Sequence, residues 1–107
     1  MGVSKTEFFT EEQNQIASLF KAISHPARIA IIQYLLSVDS CICGDIVNEL
    51  PLAQPTVSQH LKELKNANII KGTIEGTAIC YCINQETIKT IETYFKGISN
   101  HLQNKCC

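Results

Sequence analysis

Six cysteines give this 107-residue chain its most reactive side chains, and they stand in three close pairs. The pairs are Cys41 with Cys43, Cys80 with Cys82, and Cys106 with Cys107. Thiolates bind soft metal ions and metalloids, and two thiols also join as a disulfide. No apolar signal segment opens the chain, so we expect a cytoplasmic protein. In that reducing compartment, clustered cysteines favour metal binding or redox sensing over structural disulfides.

The composition is that of a small globular domain. Hydrophobic residues make up 45% of the chain and charged residues 18%. We expect one domain over residues 1–107, with short flexible tails at both ends, the C-terminal one at about 103–107. No segment approaches the roughly 18 consecutive apolar residues of a membrane span, so no membrane partner is expected. The net charge is −1, but lysines give the segment 53–72 a surplus of two positive charges.

Capping signals and helical periodicity predict a mainly α domain. A capping box begins at Thr10, and Pro26 suits the first turn of a second helix. A short helix is expected at about residues 43–50. Pro55 then opens a longer helix, which Asn68 ends in the left-handed conformation.

Apolar residues alternate with others in the next part of the chain. Residues 70–75 and 78–83 are therefore predicted to be two strands, joined at Gly76 and Thr77 as a β-hairpin. The two cysteines of the second strand share its outward face. We expect them to pack half-buried under the hairpin, and a second thiol pair is the alternative.

A last helix, capped by Asn84, carries an apolar seam. Its members step by three, four, three and four residues: Ile88, Ile91, Phe95, Ile98 and Leu102. Such heptad spacing packs a helix lengthwise on another helix, either within the chain or in a second copy. Because small domains commonly gain stability by oligomerising, we expect a homodimer.

The order of short helix, turn, longer helix and hairpin is that of a winged helix–turn–helix, α-α-α-α-β-β-α in full. The longer helix presents amides and hydroxyls near its start and cations further along: Gln54, Thr56, Ser58, Gln59, His60, Lys62 and Lys65. Amides and hydroxyls read base edges in DNA, and lysines neutralise phosphates. An ordinary solvated helix face is the alternative interpretation.

Two stretches of the chain resemble the ArsR family of bacterial metal-responsive repressors. They are residues 20–28 (FKAISHPAR) and 54–61 (QPTVSQHL), and the resemblance extends over about residues 16–102. It implies a dimeric winged helix whose recognition helix enters the major groove of double-stranded operator DNA with two-fold symmetry. It also implies that Gly76 and Thr77 form the wing that reaches the flanking minor groove, and that a metal or metalloid releases the DNA.

Cys41 and Cys43 lie where arsenic repressors of that family carry a Cys-x-Cys, at a helix start that favours thiolate. The resemblance thus implies As(III) or Sb(III) as inducer, without an organic cofactor. The pair falls one residue earlier than the family's, and Val47 replaces a third cysteine. Because trivalent arsenic prefers three thiolates, we hypothesise that Cys106, Cys107 or both complete the site. The alternative is that the tail cysteines bind nothing.

Other functions have weaker support in the sequence. Zinc-binding members of the family use their last helix, but Glu86, Glu92 and His101 lack the Asp-x-His start of that site. A redox or persulfide switch would use the same thiolates and stays open. No enzyme is expected, since a thiol reductase needs a Cys-x-x-Cys beside a βαβ unit. A thiol metallochaperone would have no use for the recognition helix.

Overall fold

Four helices and three strands make up the part of the chain that the computed structural model describes, namely residues 8–38, 42–43, 46, 50–76, 78–103 and 105. The elements are α1 (Glu11–Ile23), α2 (Pro26–Leu36), β1 (Ile42–Cys43), α3 (Gln54–Asn66), β2 (Ile70–Glu75), β3 (Ala78–Ile83) and α4 (Gln85–Leu102). The predicted mainly α fold with a β-hairpin is confirmed.

Side chains cap three of the helices, at Thr10 and Asn84 as the sequence predicts and also at His25. The Thr10 hydroxyl accepts a hydrogen bond from the Gln13 N–H, and the Gln13 side chain accepts one from the Thr10 N–H, both at 3.0 Å. This reciprocal pair starts α1 by satisfying two N–H groups that no helical carbonyl reaches. His25 Nδ1 accepts from the Ala27 N–H at 3.0 Å at the start of α2, and Asn84 caps α4 in the same way.

The hairpin has the predicted bounds, and one residue with positive φ precedes it while another lies at its tip. Asn68 ends the α3 turn with a φ of 63°, and Gly76 has a φ of 65° at the hairpin tip. Both angles lie in the left-handed region, which glycine and asparagine tolerate best. Thr77, the other predicted tip residue, lies outside the described residues.

A third strand enlarges the sheet beyond the expected hairpin. β1 pairs antiparallel with β3, giving the order β1-β3-β2, with Ile42 opposite Tyr81 and Cys43 opposite Cys80. The prediction that a helix begins near Cys43 is therefore wrong at that residue. A strand of two residues is too short for local periodicity, and it exists because β3 supplies its hydrogen bonds. Most of the expected helix at 43–50 lies outside the described residues.

The core lies between α1, α2, α3 and the root of the hairpin. Its fully or nearly buried members are Ile16, Leu19, Ala22, Ile31, Leu35, Ile46, Val57, Leu61, Leu64, Ile69 and Ile70. Three of them come from α3, so apolar burial fixes that helix on one side along its length.

Cys80 is fully buried as well, so the outward face expected for it is wrong. Cys80 lies on the central strand of the sheet, which has a neighbour on both sides.

Candidate nucleic-acid interface

The side of α3 that points away from the core is polar and exposed. Val57, Leu61 and Leu64 are buried on the other side, at the helical spacing the sequence shows. Six side chains that the sequence assigns to DNA reading share the exposed surface, which we name the recognition face: Gln54, Thr56, Ser58, Gln59, Lys62 and Lys65. The structure thus places amides and hydroxyls on the first turns of α3 and cations on its later turns.

Two contacts order side chains of the recognition face. Gln59 Nε2 donates to Glu63 Oε2 at 3.1 Å, one helical turn further along. The Gln59 carbonyl oxygen and its second N–H remain for another partner. The Lys65 stem passes close to the hairpin, since a Cβ built on Gly72 would lie 3.4 Å from Lys65 Cε. The end of the Lys65 side chain therefore lies next to Gly72 of β2.

The start of α3 is suited to an anion. Ala53 occupies the N-cap position, where no side-chain hydrogen bond is made, and the first turn contains no acidic residue. Pro55 in that turn lacks an N–H, so fewer donors go unsatisfied there. The remaining N–H groups and the helix dipole favour negative charge at this end. A phosphate group has the negative charge and the acceptor oxygens that such a helix start favours.

His60 departs from the arrangement that the sequence predicts. Only 8% of this residue is exposed, so it lies on the buried side of α3 rather than on the recognition face. Arg28 of α2 provides a hydrogen-bond partner for the buried ring: its Nε donates to His60 Nδ1 at 3.1 Å. The same guanidinium donates through Nη1 to the Ala22 carbonyl oxygen of α1 at 2.9 Å. We name this set of contacts the Arg28–His60 clamp, because it ties three helices together.

The surroundings of His60 favour the neutral form of its ring. Burial lowers the pKa of His60 from 6.5, and the neighbouring His25 and Arg28 charges lower it further. The His25 and His60 rings lie 4.4 Å apart, centroid to centroid. Since Nδ1 of His60 accepts from Arg28, the neutral ring carries its proton on Nε2. His60 therefore fixes the position of α3, a role that its polar neighbours on the same helix do not suggest.

The predicted thiolate site falls outside the described part of the chain. Cys41, Cys106 and Cys107 are not described, and of Cys43 only the backbone is. Among the described residues, no cluster of three or more histidine, cysteine, aspartate or glutamate side chains is placed to hold a metal ion. The four-cysteine site therefore stays a prediction.

The apolar seam of α4 is only partly covered within the chain. No residue of α4 is buried, and Ile88, Phe95, Ile98 and Leu102 are each at least 39% exposed. Phe20 of α1 packs on Phe95, with ring centroids 5.6 Å apart, and Ile91 contacts the core. We name the exposed members of this stripe the seam surface.

A recognition face on a clamped helix, followed by a β-hairpin, defines a winged-helix DNA-binding protein. Residues 25–71 match the model of the bacterial regulatory proteins of the arsR family. An uncharacterized HTH-type transcriptional regulator of Methanocaldococcus jannaschii is 40% identical over 82 residues, which cover 76% of this chain and 91% of that protein. The chain belongs to the ArsR family of DNA-binding transcriptional repressors, and these are regulators rather than enzymes.

Two further relatives carry names that refer to metal or metalloid resistance. The cadmium resistance transcriptional regulatory protein CadC homolog of Staphylococcus aureus is 32% identical over 90 residues, covering 82% of this chain and 73% of that protein. The arsenical resistance operon repressor of Staphylococcus xylosus is 26% identical over 93 residues, covering 87% of this chain and 88% of that protein.

Solved structures confirm the winged-helix fold. A crystal structure of an ArsR family transcriptional regulator superposes with a TM-score of 0.77 at 16% identity, covering 92% of this chain and all of that one. A homodimeric winged helix-turn-helix DNA-binding domain from Mycobacterium bovis gives a TM-score of 0.64 at 22% identity, covering 82% of this chain and 81% of that one. No helix in the described ranges combines the length and the apolar character needed to cross a membrane.

Proposed function

We propose that this chain is a cytoplasmic repressor that binds two-fold-symmetric operator DNA as a homodimer and releases it when As(III) or Sb(III) binds its cysteine thiolates. The recognition face of α3 is the observation that carries the proposal. It offers base-reading groups and phosphate-binding groups together on a helix whose other side is fixed in the core.

The order of side chains along α3 suits entry into the major groove by its N-terminal end. Gln54, Thr56, Ser58 and Gln59 lie on the first turns, where a recognition helix meets base edges. Glutamine amides pair with adenine, and hydroxyls serve either bases or phosphates. Lys62 and Lys65 then neutralise backbone phosphates in a sequence-independent way.

His60 and the hairpin tip complete the proposed DNA-binding set. Through the Arg28–His60 clamp, His60 acts on DNA binding by setting the position of α3 rather than by meeting a base. Gly76 is exposed at the hairpin tip, next to Thr77, and this wing is proposed to reach the minor groove.

The seam surface of α4 is proposed to form the dimer. Its exposed isoleucines, phenylalanine and leucine follow the heptad spacing of a helix that packs on another helix. Burying such side chains releases roughly 25 cal/mol for each Å² of apolar surface, which favours association with a second copy. The homodimeric relative from Mycobacterium bovis has the same fold.

Cys41 and Cys43, completed by Cys106 or Cys107, are the proposed inducer ligands. Trivalent arsenic and antimony are soft and favour thiolates, and two relatives carry arsenical and cadmium resistance in their names. Cys43 belongs to β1, which is hydrogen-bonded to the wing strand β3, while the tail follows α4. A metalloid that joins these places links the wing to the dimer helix, so its binding changes the spacing of the two recognition faces. Allosteric couplings of about 1–3 kcal/mol would weaken operator binding roughly 5- to 150-fold.

The test is a fluorescence-anisotropy titration of fully reduced protein on duplex DNA from upstream of its own gene. As(III) and Sb(III) are expected to weaken binding within that range of roughly 5- to 150-fold, and Zn(II) to leave it unchanged. Cd(II) tests how far the site accepts a soft cation.

Cys41→Ser and Cys43→Ser should abolish the response, and Cys106→Ser with Cys107→Ser should weaken it. Cys82→Ser, which removes a thiol outside the proposed set, is the matched control and should respond as wild type. Full release from the Cys41→Ser and Cys43→Ser variants would contradict the proposal.

A thiol redox or persulfide-sensing repressor of the same fold is the second candidate function. One observation favours it: Cys80 and Cys82 of the central strand are both disulfide-bonded. Mass spectrometry after treatment with an oxidant or with arsenite distinguishes the two candidates. Each disulfide removes two hydrogens, whereas bound arsenic adds its own mass less one hydrogen for each thiol that it binds.

A further inference from the structure

The pairing of β1 with β3 sets two cysteines opposite each other. Cys43 and Cys80 are direct partners in the antiparallel register. Such partners have Cα atoms about 4.5–5.5 Å apart, which lies inside the span of about 4.4–6.8 Å that a disulfide bridges. Cys80 is itself disulfide-bonded, as is Cys82 two residues further along the strand.

Cys80 and Cys82 are poor partners for each other. Alternate residues of one strand point the same way with a separation of about 6.6 Å, whereas a disulfide holds its Cβ atoms about 3.5–4.5 Å apart. Each therefore requires a cysteine from elsewhere in the chain. For Cys80 the residue across the ladder is Cys43.

We propose that Cys43 and Cys80 are a reversible dithiol–disulfide site, and that oxidation withdraws Cys43 from the metalloid. The first part is independent of any inducer. The second part, a redox gate on induction, rests on the proposed function, because it needs Cys43 as a metalloid ligand.

The oxidation has a simple balance with hydrogen peroxide as oxidant. One thiolate attacks the peroxide oxygen, becomes a sulfenic acid, and releases the other oxygen as water after protonation. The second thiol attacks that sulfenic sulfur, forms the S–S bond and releases a second water. Two electrons pass from the two sulfurs to the peroxide, and two thiols with one hydrogen peroxide give one disulfide with two waters. A small thiol reverses the change by exchange.

Burial favours an internal disulfide over a mixed one. No part of Cys80 is exposed, so a bulky external thiol such as glutathione has no approach to its sulfur. Cys43 does not have to diffuse to Cys80, because the pairing of β1 with β3 already holds the two residues opposite each other. Half-buried Cys82 is the more accessible of the two β3 thiols and is expected to react with the oxidant sooner.

The pairing is tested with a variant that retains only the two cysteines in question, Cys41→Ser/Cys82→Ser/Cys106→Ser/Cys107→Ser. After treatment with hydrogen peroxide and digestion with trypsin without reductant, the peptide of residues 29–62 is expected to be linked to that of residues 72–89. Dithiothreitol should separate the two peptides. A peroxide-treated variant that circular dichroism shows to be folded, and whose peptides are not linked, would overturn the proposal.

A matched control keeps one cysteine in each peptide but takes them from different steps of the register. Cys43→Ser/Cys82→Ser/Cys106→Ser/Cys107→Ser retains Cys41 and Cys80, which the ladder does not oppose. The yield of linked peptides from this control should be about tenfold lower than from the variant that retains Cys43 and Cys80, because only directly opposed residues are held close together. Equal linkage in both variants would show that the register does not select the pair, and would overturn the proposal. Repeating both oxidations in urea shows the background for an unfolded chain.

The gate is tested on wild-type protein bound to its operator. Peroxide-oxidised protein is expected to need about tenfold more As(III) for release than reduced protein, and dithiothreitol should restore the response. Equal As(III) responses of oxidised and reduced protein, with the linkage present, would overturn the gate. If reduced protein fails to release DNA with As(III), the proposed function fails, while linked peptides still identify the disulfide site.

Discussion

α3 and α4 are both amphipathic helices, but they complete their apolar faces in different ways. α3 buries Val57, Leu61 and Leu64 against its own chain and turns amides, hydroxyls and lysines outward. α4 is the longer helix, with 18 residues, and none of them is buried. Its exposed positions include Ile98 and Leu102, which are 39% and 56% exposed.

This difference in apolar burial indicates the kind of partner that each helix binds. The apolar face of α3 is fully buried within the chain, so only polar side chains remain exposed for a partner. These amides, hydroxyls and lysines suit DNA. A helix that leaves an ordered apolar stripe in water is stabilised by further burial, and its heptad spacing suits a like helix. Each half of this comparison can be broken separately by substitution.

The largest effect is expected from a charge on the seam surface. Ile98→Asp places a carboxylate in the proposed helix–helix contact, where burial of an unpaired charge opposes association. We expect a monomer in sedimentation velocity. Operator affinity should fall by about 100-fold, because the two recognition faces are then no longer linked and each binds alone. Asn100→Asp adds the same charge to the same helix away from the seam and should remain dimeric. A dimeric Ile98→Asp protein would show that α4 does not form the interface.

The next effect concerns the fixation of α3. Arg28→Ala removes the donors to His60 Nδ1 and to the Ala22 carbonyl oxygen. Leaving buried polar groups without partners costs about 1–3 kcal/mol, so the free energy of unfolding in urea should fall by that amount. Lys21→Ala, which removes an exposed cation from the end of α1, is the control and should change it by less than about 0.5 kcal/mol. Equal stability of both variants would show that the clamp is not a stabilising contact.

Substitutions on the recognition face are expected to separate base reading from phosphate binding. Gln59→Ala should weaken operator binding by about 1–3 kcal/mol and leave binding to unrelated DNA nearly unchanged. Lys62→Gln should weaken both alike and lower the slope of log affinity against log salt by about 1. Anisotropy titrations at several salt concentrations measure both quantities. If the two variants behave alike on operator and unrelated DNA, α3 does not read sequence.

The smallest effect is a pH dependence of stability that comes from His60. Burial lowers the pKa of His60 in the folded state from 6.5, so the unfolded chain binds more protons at mildly acidic pH. Stability should therefore be full above pH 6.5 and fall as the pH drops toward the lowered pKa of the folded state. Urea midpoints between pH 8 and pH 5 measure the change.

His60→Asn is the informative variant for that dependence, because the asparagine oxygen still accepts from Arg28 but does not titrate. It should lose most of the pH dependence, whereas His101→Asn, at an exposed histidine, should keep it. The same pH dependence in wild type and His60→Asn would show that another group is responsible.

Local chemistry allowed much of this fold to be predicted. The capping box at Thr10, the left-handed Asn68 and the glycine at the hairpin tip each act within a few residues. The burial pattern of α3 also depends on spacing within a few residues. Because that spacing sets which side of the helix is exposed, it predicts most of the recognition face. The seam of α4 also follows from spacing alone.

The features that the sequence did not predict depend on distant parts of the chain. His60 has the same polar character as its neighbours, and two contacts on its buried ring come from outside α3, namely the Arg28 hydrogen bond and the His25 ring 4.4 Å away. β1 has two residues and no readable period, and it exists through its pairing with β3. The complete burial of Cys80, on the central strand of the sheet, is a tertiary feature that the alternation of residues along β3 does not show.

The central claim is that two copies of α3, held by α4, read a two-fold-symmetric operator. A hydroxyl-radical footprint of the protein on the DNA upstream of its own gene tests this most directly. The account predicts protection of two symmetric half-sites about one helical turn, or 10–10.5 base pairs, apart, with two chains per duplex. Protection of a single site, or of the whole duplex without symmetry, would contradict it.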